Sequence, residues 1–115
     1  MSHYENILAT LNLLTGAYAE NTLKSYYADA NAFVDWCSEE NVEPFPLTSA
    51  SIRRYIEAMA VNYSYASIRR RLSCLRRINK LLGHEDHTQT EEIYLTIRRL
   101  KRSKCLDQQQ AVGIN

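Results

Sequence analysis

The 115-residue chain is short of the residues that break regular structure, with 3 Gly and 2 Pro. A turn-rich β-sandwich needs many more such breakers, so this class is excluded. Its three cysteines, Cys37, Cys74 and Cys105, are odd in number, widely spaced and without a Cys-x-x-Cys pair. Neither a disulfide framework nor a zinc knuckle is indicated, and a reduced, cytoplasmic compartment is the simplest expectation. Cys37 and Cys74 read as small apolar residues, partly buried. No stretch approaches 18 consecutive apolar residues, so no transmembrane helix and no membrane partner are expected. The opening Met-Ser-His-Tyr-Glu-Asn lacks the basic and apolar regions of a secretory signal. Positive charge is nearly missing from the first half, where Lys24 is the one base among residues 1–50.

What is present is an ordinary domain-sized mixture, 45% hydrophobic and 23% charged, with a net charge of +1 that conceals an asymmetry. Residues 1–50 sum to −6 and residues 51–115 to +7. Arg69, Arg70, Arg71, Arg76, Arg77 and Lys80 form a cluster without an acid, and Arg98, Arg99, Lys101, Arg102 and Lys104 form a second. Such crowding is self-repulsive unless an anion is near. A polyanion, nucleic acid ahead of a membrane surface, is the natural partner.

The apolar residues recur at helical spacing throughout, and the chain reads as all-α. Tyr4, Ile7, Leu8, Leu11 and Leu14 share one face of a first helix, and Gly16 fits the left-handed position past its end. Asn21 or Thr22 is expected to cap a second helix with Leu23, Tyr26, Tyr27, Ala30, Phe33, Val34 and Cys37 inward and Trp36 at the edge. Pro44 and Pro46 bound it. Thr48 or Ser49 caps a third, with Ile52, Tyr55, Ile56 and Met59 inward; Ser64 caps a fourth, running to Gly83. A fifth starts near Thr88 or Thr90, with Glu91 and Glu92 in its first turn and Arg98 to Lys104 near its last, both complementing the helix dipole. The expected architecture is a compact bundle of four to five helices over residues 1–104, followed by a linker over 105–115.

At about 100° per residue, Ile68, Leu72, Leu75, Asn79 and Leu82 define the buried face of the fourth helix. Arg70, Ser73 and Arg77 then point away from it, flanked by Arg69, Arg76 and Lys80 on one edge and by Ser67 and Cys74 on the other, with Arg71 nearer the apolar face. This outer surface holds bases and serines without a carboxylate. Arginine and lysine neutralise phosphates, arginine can fork onto guanine, and serine donates to either. A merely solvated basic face normally alternates charge signs along the helix. The competing reading is a helical protein–protein module whose basic surface meets an acidic partner. His84, Glu85, Asp86 and His87 lack further ligands at matching spacing, so a polar loop is expected there rather than a metal site. No Ser/His/Asp set, phosphate loop or cofactor motif is present, and Tyr26, Tyr27, Tyr55 and Tyr94 read as core residues.

The segments Asn21-Thr-Leu-Lys-Ser-Tyr-Tyr-Ala-Asp-Ala-Asn-Ala-Phe-Val-Asp-Trp-Cys37, Pro46-Leu-Thr, Ser64-Tyr-Ala-Ser-Ile-Arg-Arg-Arg-Leu-Ser-Cys-Leu-Arg-Arg-Ile-Asn79 and Gly83-His-Glu-Asp-His-Thr88 together resemble the core-binding domain of tyrosine recombinases, the phage-type integrases. The Trp-Cys, Phe-Pro and Ser-Ile-x-x-x-Leu features are most similar to the Cre branch. The resemblance covers residues 18–113 and implies a SAM-like bundle forming half of a C-shaped clamp on double-stranded DNA. Its second and fourth helices would meet adjacent major-groove surface. It places Thr22, Lys24 and Ser25, and Ser67, Arg70, Arg71 and Cys74, at contact positions, with Ala66 and Cys74 standing where relatives carry longer polar groups. Arg98, Arg99, Lys101 and Arg102 match a basic stretch that meets phosphate. The family's nucleophilic Tyr and its Arg, Lys, His and Trp partners belong to a separate catalytic domain, and nothing here matches them. The expectation is therefore a non-catalytic, DNA-binding piece of a recombinase: monomeric alone, tetrameric with its parent on DNA, nucleoid-associated, and needing no cofactor.

Overall fold

The computed structural model describes the backbone of residues 3–113 and the side chains of Glu5 and residues 7–105. Five helices follow in order: α1 His3–Asn12, α2 Glu20–Glu40, α3 Ser49–Met59, α4 Tyr65–Leu81 and α5 Glu91–Gly113. No strand occurs among the described residues.

Local chemistry explains most of the boundaries. Gly16 (φ 88°) and Gly83 (φ 89°) adopt the left-handed conformation that glycine reaches without a Cβ clash. Thr48 caps α3 in a reciprocal box: its hydroxyl accepts from the Ser51 N–H at 3.1 Å, and the Ser51 hydroxyl accepts from the Thr48 N–H at 3.4 Å. Ser64 caps α4 by accepting from the Ser67 N–H at 3.2 Å. Thr90 accepts from the Ile93 N–H at 3.3 Å and opens α5.

Two boundaries depart from expectation. α2 begins at Glu20, ahead of a cap at Asn21 or Thr22; its N-cap is Ala19, which offers no side-chain acceptor. It ends before either proline, on Asn41 in the left-handed conformation (φ 56°). α5 runs on through residues 105–113, so the basic run Arg98 to Lys104 lies mid-helix instead of in the last turn. Its carbonyls there are taken up by the following turns, and the dipole argument does not apply to it.

The core has two lobes, and α4 is shared between them. Phe33, Cys37, Leu47, Ile52, Tyr55, Ile56, Met59, Ile68, Leu72, Leu75, Ile93 and Leu100 form one. Ile7, Leu11, Leu14, Ala30, Val34, Cys74 and Ile78 form the other. Ile68, Leu72 and Leu75 belong to the lobe that takes in α3 and α5 as well as Phe33 and Cys37 of α2, while Cys74 and Ile78 belong to the lobe with α1 and with Ala30 and Val34 of α2. This corrects the single-face view of α4: Cys74 is wholly buried rather than flanking the outer surface. Tyr4 lies outside the described side chains. Tyr27 and Tyr94 are exposed, not core, whereas Tyr55 is buried and Tyr26 half-buried.

Asn79 sits inside the bundle with its amide satisfied. Its Oδ1 accepts from the Leu47 N–H at 3.1 Å, and its Nδ2 donates to the Glu85 carbonyl at 3.2 Å. One α4 side chain therefore fixes the turn before α3 and the loop before α5, which positions the outer face of α4 against its neighbours.

Candidate nucleic-acid interface

The outer arc of α4 carries Arg69, Arg70, Ser73 and Lys80 exposed, with Ser67, Arg76 and Arg77 half-buried. The strip foreseen from the sequence is thus formed, but its guanidinium groups are held rather than free. On the edge facing α1 and α2, Arg77 donates to the Tyr18 hydroxyl at 2.8 Å and lies 5.8 Å from its ring centre. Arg70 pairs with the Asp29 carboxylate of α2. Arg71 lies 3.9 Å from the same carboxylate and stacks 4.2 Å from the Tyr63 ring centre. Its side chain is 16% exposed, against 51% for Arg70. This corrects two expectations. The bases of α4 are not without a carboxylate, because one arrives from α2. Arg71 is tucked into the bundle, where little of its charge can reach a ligand.

The edge facing α5 is different. Arg69 donates to the Tyr65 hydroxyl at 2.9 Å and Arg76 to the Thr88 hydroxyl at 3.0 Å. Together with Arg98 and Lys101 of α5 they line a groove of about 350 Å³. The two basic clusters of the sequence meet there across Tyr65, Tyr94, Thr88 and Gln89, with no acid in the lining. Arg98 donates to the Tyr94 hydroxyl at 3.3 Å. Arg99 and Arg102 are exposed beside the groove, not in it. Near its far end, burial alone would raise the Asp86 carboxyl, but hydrogen bonds from Thr88 and Gln89 and the charge of Arg76 hold it below its ordinary value.

The α2 candidates divide. Thr22 and Ser25 lie at i and i+3 on one helical face that continues to Asp29 at i+7. Lys24 points elsewhere: it pairs with Glu20 at 3.8 Å and lines an apolar groove between α1 and α2 with Leu8, Leu11, Leu23 and Tyr27. Cys74, a contact position by resemblance, is a buried thiol pushed up to about 12 by its burial and donates to the Tyr26 carbonyl at 3.5 Å. Buried and neutral, it has no route to a partner.

Sequence reasoning missed Asp29 and Tyr18, and placed Arg76 only on the flank of the outer face. Asp29 carried a signal, its spacing from Thr22 and Ser25. Tyr18 carried none, since its partner Arg77 is 59 residues away. Among the described residues no group of three or more His, Cys, Asp or Glu is placed to hold a metal ion. No helix among them is long and apolar enough to cross a membrane.

Among the described residues the chain is a strand-free bundle of five helices, and α4 presents a basic outer arc. The chain belongs to the family of phage integrase N-terminal SAM-like domains, whose model matches residues 10–86. It is 32% identical over 71 residues to the tyrosine recombinase XerC of Leptospira interrogans serogroup Icterohaemorrhagiae serovar copenhageni (strain Fiocruz L1-130), and equally to that of serovar Lai (strain 56601). The match takes in 60% of this chain and 23% of each relative, so the chain corresponds to under a quarter of their length. The likeness to the Cre branch rests on the Trp-Cys, Phe-Pro and Ser-Ile-x-x-x-Leu features alone.

Proposed function

We propose that this chain grips duplex DNA for a tyrosine recombinase or integrase, as half of a clamp whose catalytic half lies in other residues of the parent. The observation that carries this is the outer arc of α4: among the described residues its ion pairs are confined to Arg70 and Arg71, leaving Arg69, Arg77 and Lys80 without a carboxylate partner beside Ser67 and Ser73, and Arg76 near the Asp86 carboxylate without an ion pair to it. Thr22 and Ser25 extend the surface from α2, and Arg98, Arg99, Lys101 and Arg102 extend it along α5. Phosphates would lie against these bases while serine and arginine donors reach base edges. The chain itself carries out no bond-breaking step, takes no cofactor, and works in the cytoplasm at the nucleoid.

Titration of duplex DNA at several salt concentrations tests this. Engagement of about six phosphates gives a log–log salt slope near −5. A salt-independent response, or amide shifts on addition of DNA that spare residues 22–25 and 67–80, overturns the reading.

A finer element concerns assembly. Leu8 and Leu13 of the first helical region and Tyr27 of α2 are exposed, and Leu8 and Tyr27 line the apolar α1/α2 groove. We assign this face to contacts between subunits of a tetrameric parent on DNA, with the isolated chain a monomer. Sedimentation with and without DNA checks it. Should DNA binding fail while an acidic protein protects the α4 arc, the chain would instead be a protein–protein module.

A further inference from the structure

We propose that Asp29 is a positioning residue for sequence reading: its carboxylate holds the Arg70 guanidinium in one pose at the junction of α2 and α4, so that Arg70 addresses base edges rather than trailing along phosphates. The inference rests on the duplex-binding reading above and names a residue which that reading does not use.

Asp29 is 5% exposed, so it cannot itself touch a duplex. Among the described residues it is the acid that pairs with α4. Its two oxygens face two guanidiniums of unequal exposure. Arg71 is anchored from within, its guanidinium 4.2 Å from the Tyr63 ring centre and its side chain only 16% exposed. Arg70 lies above, half-exposed, with one nitrogen on Asp29 and the remaining donors toward solvent. One carboxylate against two guanidiniums leaves a positive charge at the surface, so the pair still attracts a polyanion. A long, flexible arginine fixed before binding loses less freedom when it binds, and a planar fork held at a set angle suits bidentate recognition. Asp29 also continues the Thr22–Ser25 line of α2. The Asp29–Arg70 pair therefore sets the register between the two helices offered to DNA.

The test uses the chain with a duplex selected from a random library by the wild type and a scrambled duplex of the same composition. Affinities for both are measured for wild type, Asp29→Asn, Arg70→Lys and the double variant, with circular-dichroism melts reporting the fold. Folded Asp29→Asn is expected to bind scrambled DNA at least as tightly as wild type while its preference for the selected duplex falls about tenfold, within the range of one bidentate base contact. Arg70→Lys keeps the charge but loses the fork, and is expected to lose the same preference. The double variant should lose no more than either single one. If Asp29→Asn fails to fold, Arg70→Lys decides the matter alone. A folded variant retaining the wild-type preference overturns the proposal, as does one weakened equally on both duplexes, the mark of a merely structural acid. Wild type that binds both duplexes equally overturns this proposal and leaves DNA binding standing. Wild type that binds neither overturns the DNA-binding reading, and this one with it.

Discussion

α4 and α5 carry six and five basic residues respectively, and they treat them in opposite ways. On α4 each arginine is held: Arg69 by Tyr65, Arg70 and Arg71 by Asp29, Arg76 by Thr88, Arg77 by Tyr18. Lys80 alone on that helix has no partner among the described residues. On α5 Arg98 meets Tyr94, and Lys104 donates to the Ala60 carbonyl at 2.6 Å, while Arg99, Lys101 and Arg102 are without a partner among the described residues. Equal charge thus comes in two mechanical grades. Held guanidiniums have already given up rotamer freedom and present fixed donors, which suits discrimination. Loose side chains adapt to any backbone and act through counterion release, which suits affinity.

The two helices also differ in their cysteines, and this gives the largest expected effect. Burial pushes the Cys74 thiol of α4, like the Cys37 thiol of α2, up to about 12, whereas Cys105 on α5 is exposed. The folded state keeps those two protons to higher pH than the unfolded chain does. Stability is therefore whole below the ordinary thiol range and drains as pH rises from there toward 12, by about 1.4 kcal/mol per pH unit for each buried thiol. Denaturant titrations from pH 8 to 11 should show the decline, steepest beyond about pH 9. At neutral pH, iodoacetamide should label Cys105 and spare Cys74 and Cys37; prompt labelling of all three would erase this difference between α4 and α5.

Reversing the held charges comes next. Arg76→Glu with Arg77→Glu should weaken duplex binding by about 100-fold or more, since two attractions become repulsions. Truncating the loose set, Arg99, Lys101 and Arg102 to Ala, should cost about tenfold at low salt and make the salt slope shallower by about two to three. Its preference among sequences should not change. If the triple variant instead loses preference and keeps its salt slope, the roles of the two helices are exchanged. The smallest effect is expected from Tyr18→Phe. It removes the acceptor for Arg77 but keeps the ring, and should reduce preference by about threefold while changing stability by about 1 kcal/mol or less. Melting curves and paired duplex titrations read both.

What the sequence made legible was what neighbours in the chain decide. The apolar stripe of α3, the inward Ile68, Leu72, Leu75 and Asn79 of α4, the cap at Ser64 and the turns at Gly16 and Gly83 depend on residues within a few positions of one another and were foreseen, as was Thr48 as one of two candidate caps for α3. So was the outward arc of α4, because helical geometry places Arg69, Ser73, Arg77 and Lys80 once Ile68 is known to face inward. What lay hidden depends on packing. Cys74 and Ile78 are buried because α4 is wedged between two lobes of the core, which a single-face pattern does not reveal. Arg70 finds Asp29 across 41 residues, and that pairing changes a bare basic surface into a partly compensated one. The start of α2 escaped notice because Ala19 carries no capping group to announce it.

The amide of Asn79 makes that position unusually narrow in what it will accept. Aspartate would keep the acceptor for Leu47 but set a carboxylate against the Glu85 carbonyl; leucine would strand both backbone groups; glutamine would carry its amide a methylene too far. A saturation library scored for folded protein should therefore show almost one-letter tolerance at 79 beside broad tolerance at the exposed Lys80. Drift among descendants of this chain would be expected to rewrite the basic rim long before it touches that joint.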